Sequence, residues 1–335
     1  HGGPPSTGDR IEGENLELFG RSLAHAAESA SGAELDAALD DLGWLDALAM
    51  DPQAAIATLF AVQGATNATS SSLDAVMASS ILTHEWVTSV ARVPSVILPG
   101  LGSGADAVPG TFDGERVKVT GLATAAIKRA TLALVATGPG AVATVRVADL
   151  MVEPIAGMDP ALGLSRVSGT VVPAAAPVDA DWEAAVALGR LALSAEMLGA
   201  CRTMLELART HALERIQFGV PISSFQAVRH RLAEALVAIE GAAASCAGAW
   251  ADATPFTAMV AKATAGSATR TVARHTQQVL AGVGFTAEHD FHHHLKRALV
   301  ADQLLGDAEV LRREVGATLF ATGTLPDLLR LWTMR

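Results

Sequence analysis

Three groups of residues in this sequence have the types and spacing for chemistry. The first centres on Arg215, which stands at the end of an apolar helical stretch just before Gln217, Phe218 and Gly219, with Gln226 following. A guanidinium fixed there is a bidentate donor to phosphate or carboxylate oxygens, although a cation in the last turn of a helix is also what the macrodipole favours by itself. The second group is Gln278, Val279, Leu280, Ala281 and Gly282, where small residues let a backbone approach a ligand closely. The third is His289, His292, His293 and His294. His289 and His293 are spaced for one helix face, but a zinc site draws three or four ligands from separated elements, and neither a Cys nor a distant His is paired with them. No metal is expected. Gly282-x-Gly284 follows a helix rather than a strand and lacks a third Gly, so it is not a dinucleotide fingerprint. The Gly-rich run 100–104 reads as a turn between strands, and Glu34, Asp36, Asp40 and Asp41 read as a solvated helix face.

The elements that must position these groups follow from patterning. Half of the 335 residues are hydrophobic, Ala is heavily used and Tyr is absent, which favours packed helices over sheet. Residues 11–91 read as short helices: Leu35, Leu39, Leu42, Leu45 and Leu48 recur at helical spacing, and Ser70 to Ser72 supply a cap for a helix over 73–81. Residues 92–178 turn to Pro, Gly, Val and Thr, with strand patterns over 116–119, 132–136 and 142–147 and turns at Asp113-Gly114 and Gly138-Pro139-Gly140. Residues 179–335 return to helices, over 181–215, from Ser223 or Ser224 to about 250, over 257–280 and over 300–322, for which an antiparallel four-helix bundle is the default. The expected fold class is therefore α+β, mainly α.

Bulk properties exclude some partners. A net charge of −11 argues against nucleic acid. No run of about 18 uninterrupted apolar residues predicts a membrane span, and residues 1–10 are Gly/Pro-rich rather than a charged start with an apolar core. Cys201 and Cys246 lie far apart in apolar stretches and read as two buried free thiols, as in a reducing cytoplasm.

The run from Glu214 to Ile222 (ERIQFGVPI), followed by Phe225, Gln226, His230 and Ala233, resembles the signature of the acyl-CoA dehydrogenases. A second block agrees: Gln278 to Thr286 (QVLAGVGFT), then Glu288, His289, Asp290, Lys296 and Arg297. The order of helical, β and helical segments is similar to that family over the whole chain, while the motifs fall in its C-terminal third. The resemblance implies an N-terminal helical domain, a middle β domain and a C-terminal bundle that contacts FAD. It implies that Arg215, Gln217 and Phe218 reach the FAD of a neighbouring subunit, that Gln278, Val279, Ala281 and Gly282 run along the same cofactor, and that Gln226 lies toward its adenine end.

The same resemblance implies a missing base. The family removes the substrate α-proton with a Glu, placed either nine residues after the Arg matched by Arg297, which is Gly306 here, or on the first bundle helix, which is Gly189 here. Glycine cannot abstract a proton. Asp302, Asp307, Glu309, Glu183 and Glu196 lie near these positions; as a rule such acids are solvated helix-face residues, and Asp307 is the one that a one-residue slip would make a base. The family's flavin-ring segments of the β domain have no counterpart, nor does the Gly-Thr pair after the usual Glu. The pattern is similar to the shortened subunit of actinobacterial α2β2 acyl-CoA dehydrogenases, several of which act on steroid side-chain thioesters. It implies a larger homologous partner that binds most of the acyl-CoA, and an electron-transfer flavoprotein or similar acceptor. A self-sufficient homotetramer using Asp307, and a structural relic of the fold, are the alternatives.

Overall fold

A computed structural model describes residues 13–82, 93–104, 106–252, 254–286 and 288–323. The first helices are α1 Gly13–Ser29, α2 Ala33–Asp41, α3 Trp44–Met50, α4 Pro52–Thr66 and α5 Ser72–Ser79. Local chemistry sets their ends. Asp51 accepts from the Ala54 amide at 3.0 Å, with Pro52 in the first helical position. Asn67, at φ 57°, closes α4 in the left-handed region. The Ser70 hydroxyl accepts from the Ser72 amide at the head of α5. The leucine recurrence from 35 to 48 is not one helix: Gly43, at φ 68°, separates α2 from α3, so Leu35, Leu39 and Leu48 are buried while Leu42 is left outside.

The middle of the chain forms two four-stranded sheets. One has the order β1 (Ser95–Val96), β4 (Leu132–Gly138), β5 (Ala141–Arg146), β8 (Ala175–Asp179), with β1 and β4 parallel. The other has the order β2 (Gly110–Phe112), β3 (Val117–Ala123), β7 (Ser165–Val171), β6 (Met151–Pro154), antiparallel throughout. Side chains alternate along β3, with Val117 and Val119 buried and Lys118 and Thr120 exposed. The inward residues join Val167 of the same sheet, and Ile97, Val135 and Val145 from the other, in one apolar core. The β2–β3 turn is tied by Asp113, which accepts from the Glu115 and Arg116 amides, with Gly114 at φ 104°.

The chain then builds long helices: α6 Trp182–Glu214, α7 Gln226–Asp252 and α8 Pro255–Leu280, followed by α9 Phe291–Gln303 and α10 Ala308–Thr322. Asp181 caps α6, and a reciprocal Thr254–Thr257 capping box opens α8. The short connections make α6, α7 and α8 antiparallel neighbours. The segment 300–322, read above as one helix, is two. Leu305 and Gly306 take positive φ (57° and 96°), and Asp307 caps the new start by accepting from the Glu309 and Val310 amides. Helices α6 and α7 are long and apolar enough to cross a membrane on length and composition, a feature that uninterrupted-run counting does not register. Most of the apolar window of α6 is buried inside the protein; most of that of α7 is not.

Helices α4 and α6 cross at glycine contacts. A Cβ on Gly64 would lie 1.9 Å from the Glu196 carbonyl oxygen, and one on Gly199 would lie 2.1 Å from that of Ala61. Cys201 is buried and Cys246 partly buried; both are free, and burial pushes their thiols up to about 12 and 11.

Buried polar groups fasten the layers to one another. Arg297 of α9 is 1% exposed and donates to Asp159 (2.6 Å), to Glu196 of α6 (3.2 Å), and to the carbonyl oxygens of Asn67 and Ala68 after α4 (3.1 and 2.9 Å). Asp74 of α5 accepts from Ser95 Oγ and the Val96 amide at 2.9 and 2.7 Å and from Thr124 Oγ1 at 2.5 Å. Burial raises the Asp74 carboxyl from 3.8 to about 6, against these hydrogen bonds, which pull it down. A raised folded-state pKa means that the folded chain holds this proton more tightly. Its stabilisation is complete below the unfolded pKa and is lost as pH rises through about 6. Asp74→Asn should therefore flatten the pH dependence of unfolding between pH 4 and 7 by about 3 kcal/mol relative to wild type. Parallel urea-denaturation profiles for the two proteins would refute the assignment.

Candidate functional site

The stretch after α6 is a two-residue β-hairpin. Arg215 ends the helix with an extended backbone (ψ 115°) and its carbonyl accepts from the Ile222 amide at 2.8 Å. Strands β9 Ile216–Gln217 and β10 Val220–Pro221 pair antiparallel, Gln217 opposite Val220. The turn residues Phe218 and Gly219 both have positive φ (56° and 80°), the geometry of a type I′ turn, whose twist matches the strands it joins. Such a turn favours Asn-Gly; a Phe at its first position carries backbone strain. Phe218 is also 93% exposed, touching Phe225 edge to face with ring centroids 6.1 Å apart. A large aromatic held in a costly conformation and given to solvent has little use inside a lone chain.

Arg215, Gln217 and Gln226 are exposed as well, with the Gln217 amide nitrogen resting on the Ile216 carbonyl at 2.8 Å. At the end of α8, Gln278, Ala281 and Gly282 are exposed, whereas Val279 is buried and presents no side chain to a ligand. Ala281 takes φ 52°, and a Cβ on Gly282 would meet nothing within 4 Å, so this backbone is open to approach. Because α6, α7 and α8 alternate in direction, the end of α6, the start of α7 and the end of α8 share one end of the bundle. His211 reports the same proximity: it is held below its ordinary pKa by burial first, and then by the charges of Arg215 and His289. Ile216, Val283 and Phe285 add exposed apolar surface there, Phe285 at 76%. The signal that could have singled out these three is an apolar side chain within a short interhelical connection.

The two positions at which the sequence resemblance implies a base, Gly189 and Gly306, come together elsewhere. Gly189 of α6 faces Leu305, beside Gly306: a Cβ on Gly189 would lie 2.6 Å from Leu305 Cδ1 and 3.1 Å from Met77 Sδ. A Cβ on Gly306 would lie 2.7 Å from Leu311 Cδ2. One turn farther along α5 and α6, Leu73 and Leu193 line a cavity of only ≈30 Å³, bounded also by Gln63, Glu196, Arg297 and Leu304. That is room for a single water, not for an acyl chain. Asp302 is buried and bound to Arg270 at 3.0 Å. Glu196 is buried against Arg297, and burial raises its carboxyl while the guanidinium opposes the rise. Asp307 spends its carboxylate on the α10 cap. Burial pushes its pKa up, but the two capped amides with Arg270 and Lys262 prevail and hold it below the usual value.

The histidines have local uses. His289 Nδ1 accepts from the Phe291 amide at 3.2 Å, His292 lies 2.7 Å from the His289 carbonyl and stacks on His293, and His294 lies 3.1 Å from the Gly64 carbonyl oxygen, buried. Among the described residues no group of three or more His, Cys, Asp or Glu is placed to hold a metal ion.

Residues 182–320 match the acyl-CoA dehydrogenase C-terminal domain. Acyl-CoA dehydrogenase IpdE2 of Mycobacterium tuberculosis is 39% identical over 162 residues, 48% of this chain and 50% of the relative. Acyl-CoA dehydrogenase FadE34 of the same organism is 37% identical over 178 residues, 51% of this chain and 25% of the relative. The chain thus spans about half of IpdE2 and a quarter of FadE34. Among solved structures, a Tcur3481–Tcur3483 steroid acyl-CoA dehydrogenase variant superposes with TM-score 0.78 at 23% identity, covering 93% of this chain and 99% of that one. The ChsE4–ChsE5 complex of Mycobacterium tuberculosis superposes with TM-score 0.77 at 23% identity, covering 94% and 99%. With the helical, β and helical layers in place, the described chain has the acyl-CoA dehydrogenase fold, and its residues 182–320 match the C-terminal domain of that fold.

Proposed function

We propose that this chain is a subunit of a heteromeric acyl-CoA dehydrogenase, supplying part of an FAD site to a larger homologous chain that carries the flavin and the base. One observation carries the reading: Arg215, Gln217, Phe218, Gln278, Ala281 and Gly282 stand exposed on the outside, Phe218 and Ala281 with positive φ, while both base positions are glycines packed against leucine on the inside. FAD, when bound, accepts the hydride from the acyl β-carbon. The residues of this chain fit it from a neighbour's side. Arg215 offers paired donors to the pyrophosphate, Phe218 an aromatic face, and Gln278, Ala281 and Gly282 a polar head and an open backbone along the cofactor. The surrounding apolar side chains exclude water once covered, which strengthens each of those polar contacts.

Two superposed structures are named as pairs of chains, and one as a steroid acyl-CoA dehydrogenase. These names support a homologous partner and a steroid-derived acyl thioester as substrate; an electron-transfer flavoprotein or similar acceptor rests on the sequence resemblance alone. The alternative in which Asp307 acts as a displaced base is disfavoured, because a carboxylate engaged by two amides and held below its usual pKa is a weak base.

Purified alone, the chain should be colourless; co-expressed with a longer homologue carrying the Glu, it should give yellow, active protein. Flavin bound to the chain alone in near one-to-one ratio would overturn the reading. In the complex, Arg215→Ala should lower flavin content at least tenfold at sub-saturating FAD, measured by absorbance after desalting; unchanged content would favour a purely structural role. Asp307→Asn retains a good helix cap, so both turnover and melting temperature should stay within error, whereas lost turnover would restore Asp307 as the base. Phe218→Gly should relieve the turn and stabilise the isolated chain by about 1 kcal/mol, while weakening assembly of the flavin-loaded complex. A variant less stable than wild type in thermal melts would contradict the strain described at this position.

A further inference from the structure

The break between α9 and α10 is gripped by two buried cations that the flavin-facing surface does not use. Lys262 of α8 is fully buried, and its Nζ donates to the carbonyl oxygens of Asp302 and Gly306 at 2.9 and 3.2 Å. Arg190 of α6, 4% exposed, donates from Nε to the Leu305 carbonyl at 3.0 Å. The Asp302 carboxylate completes the grip. It sits where Gly266 leaves room, a Cβ there being 2.0 Å from Oδ1, and it accepts from the Ala308 amide at 3.1 Å and from Arg270 at 3.0 Å. Carbonyls at a helix end and in a turn need partners when buried. Here those partners come from two other helices and fix the turn in a single conformation.

That conformation has a steric result. Successive positive φ values at Leu305 and Gly306 carry the Leu305 side chain into the notch left by Gly189, against Met77 of α5. One helical turn away Leu304 lines the small cavity between Leu73 and Leu193. Leu304 and Leu305 therefore occupy two successive levels of the α5–α6 groove. We propose that Lys262 and Arg190 are positioning residues that seat Leu304 and Leu305 in this groove and so seal it against apolar ligands. The seal is independent of the missing carboxylates, and it stands whether or not a partner chain carries the flavin. Burying an ammonium is costly, and burial pulls Lys262 down to about 8, with Asp302 opposing the shift. A cation kept there at that cost holds the turn shut.

Hydrogen exchange and xenon uptake by xenon NMR on the full chain test the seal. Lys262→Met should speed amide exchange in 304–311 at least tenfold while leaving α7 unchanged, and should admit xenon although Leu305 is intact. Arg190→Met carries the same expectation, so that a folding failure in one variant leaves the other informative. Leu305→Ala, which keeps every polar contact of the turn, should admit xenon with exchange in 304–311 unchanged. Wild type that takes up xenon as readily as Leu305→Ala, or cation variants with wild-type exchange and no uptake, would overturn the proposal.

Discussion

The fold depends on one guanidinium. Arg297, on α9, meets the end of α4, the carboxylate of Glu196 on α6 and Asp159 from the β region, so three successive parts of the chain close on a single side chain. Burial works against its charge, but Glu196 and Asp159 more than compensate and raise its pKa. A planar fork with donors in fixed directions suits this task in a way that a lysine would not. Ion pairs of this kind add little net stability over apolar packing, and their value lies in excluding other arrangements, since each unpaired alternative would strand a buried charge. Asp74 plays a smaller version of the same part between α5 and the first sheet.

Around that anchor the molecule is divided by exposure. The α4–α6 crossing, the notch at Gly189 and the α9–α10 turn are packed tightly enough that added atoms would collide. The far end of the bundle is the opposite: Phe218, Phe285, Ile216 and Val283 stand in solvent beside Arg215 and Gln278. Apolar surface gathered with a few polar groups marks a place where something binds. Close packing at the Gly189 notch and an open contact surface at the end of the bundle thus coexist in one chain.

Much of this was legible from local signals. The extents of α6 and α8 follow from apolar periodicity over 181–215 and 257–280, with α8 opening slightly earlier, at Pro255 behind the Thr254 cap; the hairpin at 216–221 has strands too short to show alternation and was missed. The break at 304–307 was missed, although Gly306-Asp307 is turn-and-cap punctuation, because the apolar residues around it continue the helical period. Strands β6 and β8 were missed because residues such as Met151, Glu153 and Val178 lie exposed on edge strands and show no clean alternation, and β7, although inside its sheet, has only Val167 and Val171 as apolar markers in Ser165–Val171. Val279 stood in an attractive motif but points inward. The clamp was illegible in principle: Lys262 and Arg190 are ordinary helix cations until the fold brings the carbonyls of 302, 305 and 306 to them, from 40 to 115 residues away.

The hairpin after Arg215 also fixes a tolerance to evolutionary change. In a two-residue turn, side-chain direction is tied to the count of residues, because neighbours along a strand point to opposite faces. Substitutions within 216–221 would alter chemistry one side chain at a time. A single inserted or deleted residue would instead turn Phe218 away and reset the pairing of Gln217 with Val220. The segment can therefore drift in composition far more freely than in length.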